Sequence, residues 1–442
     1  MKHPDKSQVW SAPERLERFD HSMSLPGSKS QTNRELVLAA LANGPSVLRR
    51  PLHSRDTHLM RRALESLGAK ISELDTEGVD GADLKIEPIK TYKNISSLID
   101  CGLAGTVMRF VPPLAAAITG EIRFDGDPEA RARPMAPTLK GLLQLGLKVE
   151  SKDLASLPFT VVAREKTEKK VIKLDSSESS QFLSGFLLVG ARLPAGLTIT
   201  HEGPPIPSRP HIEMTISCLE NRGVEVHNPD QNIWEVYPGP ISACDTTIES
   251  DLSNAAPFLA AAVMVGGEVE LKRWSSKNSQ VGLELPKILE QFGAQSKIAN
   301  GGIRVIAASG VRAGPRYPGV DLDLANAGEL APTLIALSLF AKTPSVFRGI
   351  GHLRGHETDR LAGLVANIRT LGGYAEETAD GLTVKPKPLH GGLWRAFSDH
   401  RMATAGAVIG LVVPGVVVDD IESTSKTLPE FAELWGSMVG KI

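Results

Sequence analysis

The stretch Leu25-Pro-Gly-Ser-Lys-Ser-Gln-Thr-Asn-Arg34 gathers two hydroxyls, an ammonium and a guanidinium behind a glycine turn. An apolar run, Leu36 to Leu41, follows at once, so these groups stand at the mouth of a helix. A helix N-terminus presents unpaired backbone N–H groups and the positive end of its dipole, and both attract anions. Ser28 and Ser30 add donors, Lys29 a mobile cation, and Arg34 a planar fork suited to phosphate or carboxylate. The Walker A spacing GxxxxGK[ST] is absent. Taken alone, the stretch reads equally well as a capped helix with two surface cations.

Other groups carry the same ambiguity. Asp175-Ser-Ser-Glu-Ser-Ser-Gln181 offers neutral donors at a helix start, where serines are usually caps. Arg131-Ala-Arg133-Pro places two arginines before a Pro-initiated helix; they close over an anion or form a solvated patch. Gly105 lets a ligand approach backbone N–H groups, or serves packing. Glu357 and Arg360 are three residues apart, hence on one face of a helix, as a surface pair or as an acid beside an anion clamp. His400 and Arg401 open another apolar run, and Lys426 follows. Glu329 also precedes an apolar run, where desolvation would make it a candidate base; a favourable N-cap position is the alternative.

These groups recur because the chain repeats. Polar or small openings stand at Ser28-Lys-Ser, Ala104-Gly-Thr, Ser179-Ser-Gln, Leu252-Ser-Asn, Ala327-Gly-Glu and Asp399-His-Arg, roughly 70 to 80 residues apart. A second marker travels with them: LESLGAK, LLQLGLK, LENRGVEV, LEQFGAQ and IRTLGGY, with FAELWGSM as a weak sixth. An amphipathic helix ending in Gly before a strand explains it. The segments behind the openings, such as VMRFVPPLAAAI and APFLAAAVMV, are apolar nearly all round and predict helices buried on every side. Each unit thus reads as buried helix, strand, amphipathic helix, strand, strand. Six units suggest two domains of three, with three openings per domain directed at a shared cleft. Crossovers near Pro26-Gly27 and before Glu249 would make the first domain discontinuous, 1–27 with 249–442, around a second domain, 28–248.

Bulk properties narrow the class. The 442 residues are 41% hydrophobic with a formal charge of −2, so an anion site must be a local concentration of Arg and Lys. Near-neutral charge and 5% aromatic residues argue against nucleic acid as a partner. Cys101, Cys218 and Cys244 lack CxxC spacing, which suggests neither a disulfide framework nor a metal site. The N-terminal segment MKHPDKSQVWSAPERLERFD has no apolar signal-peptide core, and no run approaches the roughly 18 residues of a membrane span. The expectation is a soluble, cytoplasmic protein.

In order, LPGSKSxxNR, LAGTxxR, SSQFLS, HETDRL, SDHRMA and SKTxPEF resemble the EPSP synthase family of enolpyruvyl transferases, over nearly the whole chain after the first ~15 residues. The resemblance implies an α/β fold of two inside-out barrels, each built from three βαβαββ-like repeats around buried helices, with the active site in the interdomain cleft. It implies transfer of the enolpyruvyl group of phosphoenolpyruvate to the 5-hydroxyl of shikimate-3-phosphate, on the route to chorismate and aromatic amino acids. It further implies a monomer that needs no metal or redox cofactor and is inhibited by glyphosate. By motif position, Glu329 is the base-side candidate, Glu357 the proton donor to C3, and Lys29 touches both substrates, with His400 nearby. Ser30, Arg34, Ser179, Ser180, Gln181, Ser208, Glu329 and His356 fall on the shikimate-3-phosphate side. Gly105, Arg133, Gln181, Arg360, Arg401 and Lys426 fall on the phosphoenolpyruvate side.

The chain departs from the family pattern at several positions. Glu329 replaces an aspartate, His356 a lysine, His352 an asparagine, His211 a tyrosine and Leu103 an asparagine. The nearest rival is the sister enzyme acting on UDP-N-acetylglucosamine, which commonly carries a reactive cysteine in the loop corresponding to ARARP. That loop has no cysteine here, and Cys101 reads as a small buried residue. A catalytically silent anion-binding homologue is the rival from another class, against which both carboxylates and the anion-gripping cations are retained.

Overall fold

The computed structural model describes residues 9–74, 81–164, 167–168, 170–274, 280–315 and 317–440. The first eight residues of the polar N-terminal segment lie outside the described residues. The fold is mixed α/β, in two compact units: Pro26–Glu249, and the chain up to Leu25 together with Ser250 onward. Each unit encloses its own apolar core.

In the Pro26–Glu249 unit, helices Lys29–Leu41, Gly105–Phe110 and Ser180–Gly190 pack on one another. Their side chains are buried almost throughout, as expected for segments without a polar face. The second is cut short. Pro112 and Pro113 cannot donate to the helix ladder, and the expected single helix VMRFVPPLAAAI continues only as the 3-10 segment Pro112–Ala117. Three four-stranded sheets accompany these helices. In one, Ile95–Asp100 runs parallel to Gly120–Asp125, which pairs antiparallel with Phe159–Ala163, itself paired with Lys148–Ser151. Helices Arg55–Ser66, Ala136–Gln144 and Pro210–Glu220 bury one stripe each, for example Leu59, Met60, Ala63 and Leu64.

The other unit repeats the plan around Ala255–Val265, Ala331–Ser338 and His400–Gly410, which also pack on one another. Two of its sheets have four strands. In the third, Gly392–Trp394 lies parallel to Val416–Val418, and Trp10–Ser11 pairs antiparallel with the latter. The N-terminal strand thereby takes the place that a later strand of the same repeat fills elsewhere.

Two further strands are exchanged in sequence. Phe19–Met23, which precedes the first buried helix, pairs with Gly267–Leu271, which follows the fourth. Thr246–Thr247, which precedes the fourth, pairs with Ser46–Arg49, which follows the first.

The repeat glycines have a common cause. Gly68, Gly146, Gly223, Gly293 and Gly372 all sit at positive φ, between 74° and 106°, where the chain leaves an amphipathic helix and a Cβ would be strained. The weak sixth marker is a correction. Gly436 lies inside helix Phe431–Val439, and the left-handed residue is Gly440, four positions later.

Candidate active site

The first group of candidate residues stands at the openings of the Pro26–Glu249 unit. Ser28 caps the first buried helix by accepting from the Gln31 N–H at 3.4 Å. The cap puts Lys29 in the first turn, with its Nζ 3.7 Å from Oδ2 of the buried Asp56. Asn33 donates to Thr106 Oγ1 at 2.8 Å and ties the first opening to the second. Arg34 is buried and occupied within the fold: Nε donates to Thr215 Oγ1 at 2.7 Å, and Nη2 to the His211 carbonyl at 2.9 Å. Its Nη1 donates to the Ser30 carbonyl at 2.8 Å. Ser179 caps the third buried helix, Ser180 is buried behind it, and the buried Gln181 Oε1 has no hydrogen-bond partner among the described residues. Ser208, just before the Pro210–Glu220 helix, is buried at φ 54°, unusual for a residue with a side chain.

Gly105 marks the tightest point. A Cβ built there would lie 2.9 Å from Arg109 Nη1 and 3.1 Å from Arg133 Nη2. Two buried guanidinium groups therefore close on a helix N-terminus, and a larger residue there would make one of them shift. Arg133 Nη1 donates to the Leu103 carbonyl at 3.2 Å, while its buried Nε has no hydrogen-bond partner among the described residues. The two arginines of ARARP do not act as the pair expected from sequence. Arg131 is exposed and forked onto Asp125 at 2.9 and 3.0 Å, a pairing that holds the Asp125 carboxyl below its usual range. Arg109 was not anticipated; LAGTxxR contains it, but a charged side chain amid an apolar run gives no sign of where it turns.

The second group belongs to the other unit. Glu357 is held between Arg360, at 3.0 Å, and Lys426 Nζ. All three side chains are 7% exposed or less. Arg360 also forks onto Asp399, Nε to Oδ2 at 2.7 Å and Nη2 to Oδ1 at 3.1 Å. Burial alone would lower the Arg360 pKa, but Asp399 and Glu357 outweigh it and raise the pKa. Its buried Nη1 has no hydrogen-bond partner among the described residues. Asp399 caps the last buried helix, accepting from the Arg401 N–H at 2.8 Å, and His400 and Arg401 follow it. Arg401 donates through Nη1 to the Ser253 carbonyl at 2.7 Å, and its Nη2 lies 3.5 Å from Glu329 Oε2. The His356 Nδ1 lies 3.9 Å from Glu357, and its ring centroid is 5.7 Å from that of His352. Burial, then the Arg360 charge, push the His352 imidazole down to about 4.

Two sequence expectations need correcting here. Glu357 and Arg360 do not share a helix face, because Asp359 accepts from the Ala362 N–H and starts the helix only at Arg360. Their contact reaches back across the cap. Glu329 is only partly withdrawn from water and does not cap the buried helix: it lies in the 3-10 turn Gly328–Leu330, with its side chain 22% exposed and facing Arg401. Asp399 and Asp56, both buried, are partners of the candidate cations that motif reading passed over.

Among the described residues, no group of three or more His, Cys, Asp and Glu could hold a metal ion. A cavity of about 490 Å³ in the unit that holds Ser250 onward, lined by Phe340, Leu389, Val412 and neighbouring prolines, contains none of the candidate residues.

Comparison with known proteins gives this arrangement its context. The family model for EPSP synthase (3-phosphoshikimate 1-carboxyvinyltransferase) matches residues 14–435. A 3-phosphoshikimate 1-carboxyvinyltransferase of Kocuria rhizophila is 50% identical over 440 residues, which is 98% of this chain and 97% of that protein. The solved structure of EPSP synthase from Acinetobacter baumannii superposes with a TM-score of 0.76 at 22% identity, covering 97% of both chains. The enolpyruvyl transferase NikO of Streptomyces tendae gives 0.73 at 15%, covering 96% of both, and shares the fold. With the family model covering nearly all of its length and half its residues identical to a full-length member, this chain belongs to the EPSP synthase family.

Proposed function

We propose that this chain transfers the enolpyruvyl group of phosphoenolpyruvate to the 5-hydroxyl of shikimate-3-phosphate, releasing phosphate, in the shikimate pathway. The observation that carries the assignment to a site is Glu357 held between Arg360 and Lys426. An acid is there set among cations suited to the phosphate and carboxylate of phosphoenolpyruvate. The 5-hydroxyl attacks C2 while C3 gains a proton; loss of phosphate and of a C3 proton then gives the product. Glu357 is assigned as the C3 proton carrier and Glu329 as the base-side group, with Lys29 and His400 assisting. Arg133, Arg360, Arg401, Lys426, Gly105 and Gln181 are assigned to phosphoenolpyruvate. Ser30, Arg34, Ser179, Ser180, Ser208, Gln181 and His356 are assigned to shikimate-3-phosphate.

The reading has structural corollaries. The two groups of residues act on one pair of substrates only if both units, as the two domains, present them to a common cleft. Each unit is read as an inside-out barrel with its apolar helices as the core, which the near-complete burial of those helices supports. Glyphosate is read as an inhibitor at the phosphoenolpyruvate site. The chain is read as a cytoplasmic monomer, in keeping with the finding that no described helix is long and apolar enough to cross a membrane.

The rival acceptor, UDP-N-acetylglucosamine, finds no support in cysteine chemistry. Cys101 is fully buried, and burial, then Asp100, raise its thiol far above the ordinary value. The deciding assay follows phosphate release with each substrate alone, with both, and with phosphoenolpyruvate plus UDP-N-acetylglucosamine. Release is expected only with shikimate-3-phosphate and phosphoenolpyruvate together. Folded protein that releases none, or prefers the nucleotide sugar, overturns the proposal.

A further inference from the structure

We infer that Asp399 is a positioning residue that sets the phosphoenolpyruvate grip by fixing Arg360 and, through the helix it caps, Arg401. The inference rests on the assignment of Arg360 and Arg401 to phosphoenolpyruvate made above.

A buried carboxylate needs its lone pairs filled, and Asp399, which is 0% exposed, fills them in two directions. Oδ1 accepts from the Arg401 N–H at 2.8 Å and the Met402 N–H at 3.4 Å, satisfying donors that the helix start leaves open. Oδ1 and Oδ2 together accept the Nη2 and Nε edge of Arg360 at 3.1 and 2.7 Å. A two-point fork removes the rotation that a single contact would allow, so the plane of the guanidinium is fixed.

The position of the fork decides what is left over. Nε is used by Asp399, and Nη2 is shared between Asp399 and Glu357. The remaining nitrogen, Nη1, is buried and has no hydrogen-bond partner among the described residues. Native proteins rarely leave such a group unmet, so a buried guanidinium nitrogen held open by its own supports is suited to an incoming anionic oxygen. The same carboxylate fixes the start of His400–Gly410, the helix whose second residue is Arg401. One side chain therefore sets the registers of two cations that would grip the same ligand.

Capping and arginine positioning are separable. Asp399→Ser retains a good N-cap but has no second oxygen to fork Arg360. The expected result is a rise of about 10- to 100-fold in KM for phosphoenolpyruvate, since charged hydrogen bonds that orient a binding group are lost. KM for shikimate-3-phosphate should stay within about twofold, while the melting temperature falls because Arg360 loses its fully buried partner. Arg360→Lys, which cannot donate a two-nitrogen fork to Asp399, should raise the same KM, and the double variant should be no worse than Arg360→Lys alone. If both KM values rise by the same factor, Asp399 acts only through general destabilisation and the inference fails. It fails equally if Arg360→Lys raises KM while Asp399→Ser does not, or if the two effects multiply. If Arg360→Lys leaves KM for phosphoenolpyruvate unaltered, the assignment of Arg360 itself falls, and the inference with it. Should the serine variant not fold, Asp399→Asn replaces it: its Oδ1 still caps, but its amide turns a donor toward Arg360 Nε, and the same outcomes decide.

Discussion

Gly105 shows how a single missing atom sets the room between two buried guanidinium groups. A methyl group there would stand 2.9 Å from Arg109 and 3.1 Å from Arg133, so one or both guanidinium groups must withdraw. Gly105→Ala should raise KM for phosphoenolpyruvate about tenfold and weaken glyphosate inhibition, since overpacking of this kind costs about 1–3 kcal/mol. Steady-state kinetics with and without glyphosate will show it; undiminished inhibition would refute the geometry. Glu357 is tested differently. Glu357→Gln keeps the shape between Arg360 and Lys426 but removes the proposed proton carrier. Turnover should fall by about 10²- to 10⁴-fold, while shikimate-3-phosphate binding, followed by calorimetry, stays nearly intact. A wild-type rate would remove Glu357 from the mechanism.

At the scale of elements, the first buried helix is held by a charge pair as well as by packing. Glu35 Oε2 accepts from Arg222 Nε at 2.9 Å and Nη2 at 2.8 Å, with both side chains essentially unexposed. Arg222 also donates to Ser46 Oγ and the Ser242 carbonyl, so it joins the turn after Pro210–Glu220 to the helix that carries Lys29. Arg222→Ala leaves a buried carboxylate alone and should cost about 3–5 kcal/mol in denaturant unfolding. Arg222→Met with Glu35→Leu should recover much of that loss, because an apolar pair of similar volume carries no desolvation cost. A double variant as unstable as the single one would show that the hydrogen bonds, not the unpaired charge, matter.

Over the whole molecule, acid stability should carry a signature of His352. Its folded value, about 4, lies below the ordinary 6.5, with burial as the main cause and the Arg360 charge second. Between those limits the unfolded chain binds more protons, so stability is full above pH 6.5, declines as pH falls, and levels off below about 4. His352→Asn removes this part, and the variant should gain roughly 2 kcal/mol on the wild type between pH 7.5 and 4.5. Parallel urea titrations at the two pH values measure it; an unchanged difference would contradict the burial of a neutral imidazole. The division of the chain predicts more. A fragment spanning 26–249 contains its own core and its own parallel edge strand, Thr246–Thr247, and should melt cooperatively. It should release no phosphate, since Glu329, Glu357, Arg360, Arg401 and Lys426 lie outside it.

What the sequence determined by itself is local and periodic. All-round apolar segments have no face to give to water, so ELVLAALA and APFLAAAVMV could only be buried helices. Helix-ending glycines marked five repeats because only glycine enters the left-handed region at low cost. The ordered motifs named the family and nominated most of the candidate residues. Tertiary structure decided which of those side chains touch one another. Whether Arg34 faces outward or braces three helices, whether Arg131 or Arg133 turns to Gly105, and which carboxylate fixes Arg360 depend on partners far away in sequence. Asp399 and Arg360, 39 residues apart, meet only once both helices are packed. The glycine of the sixth repeat was misplaced for the same reason: packing let the last helix run on to Gly440. Periodicity records what each segment must bury, whereas the direction of a buried charge is set by the group that neutralises it, and that group arrives only with the fold.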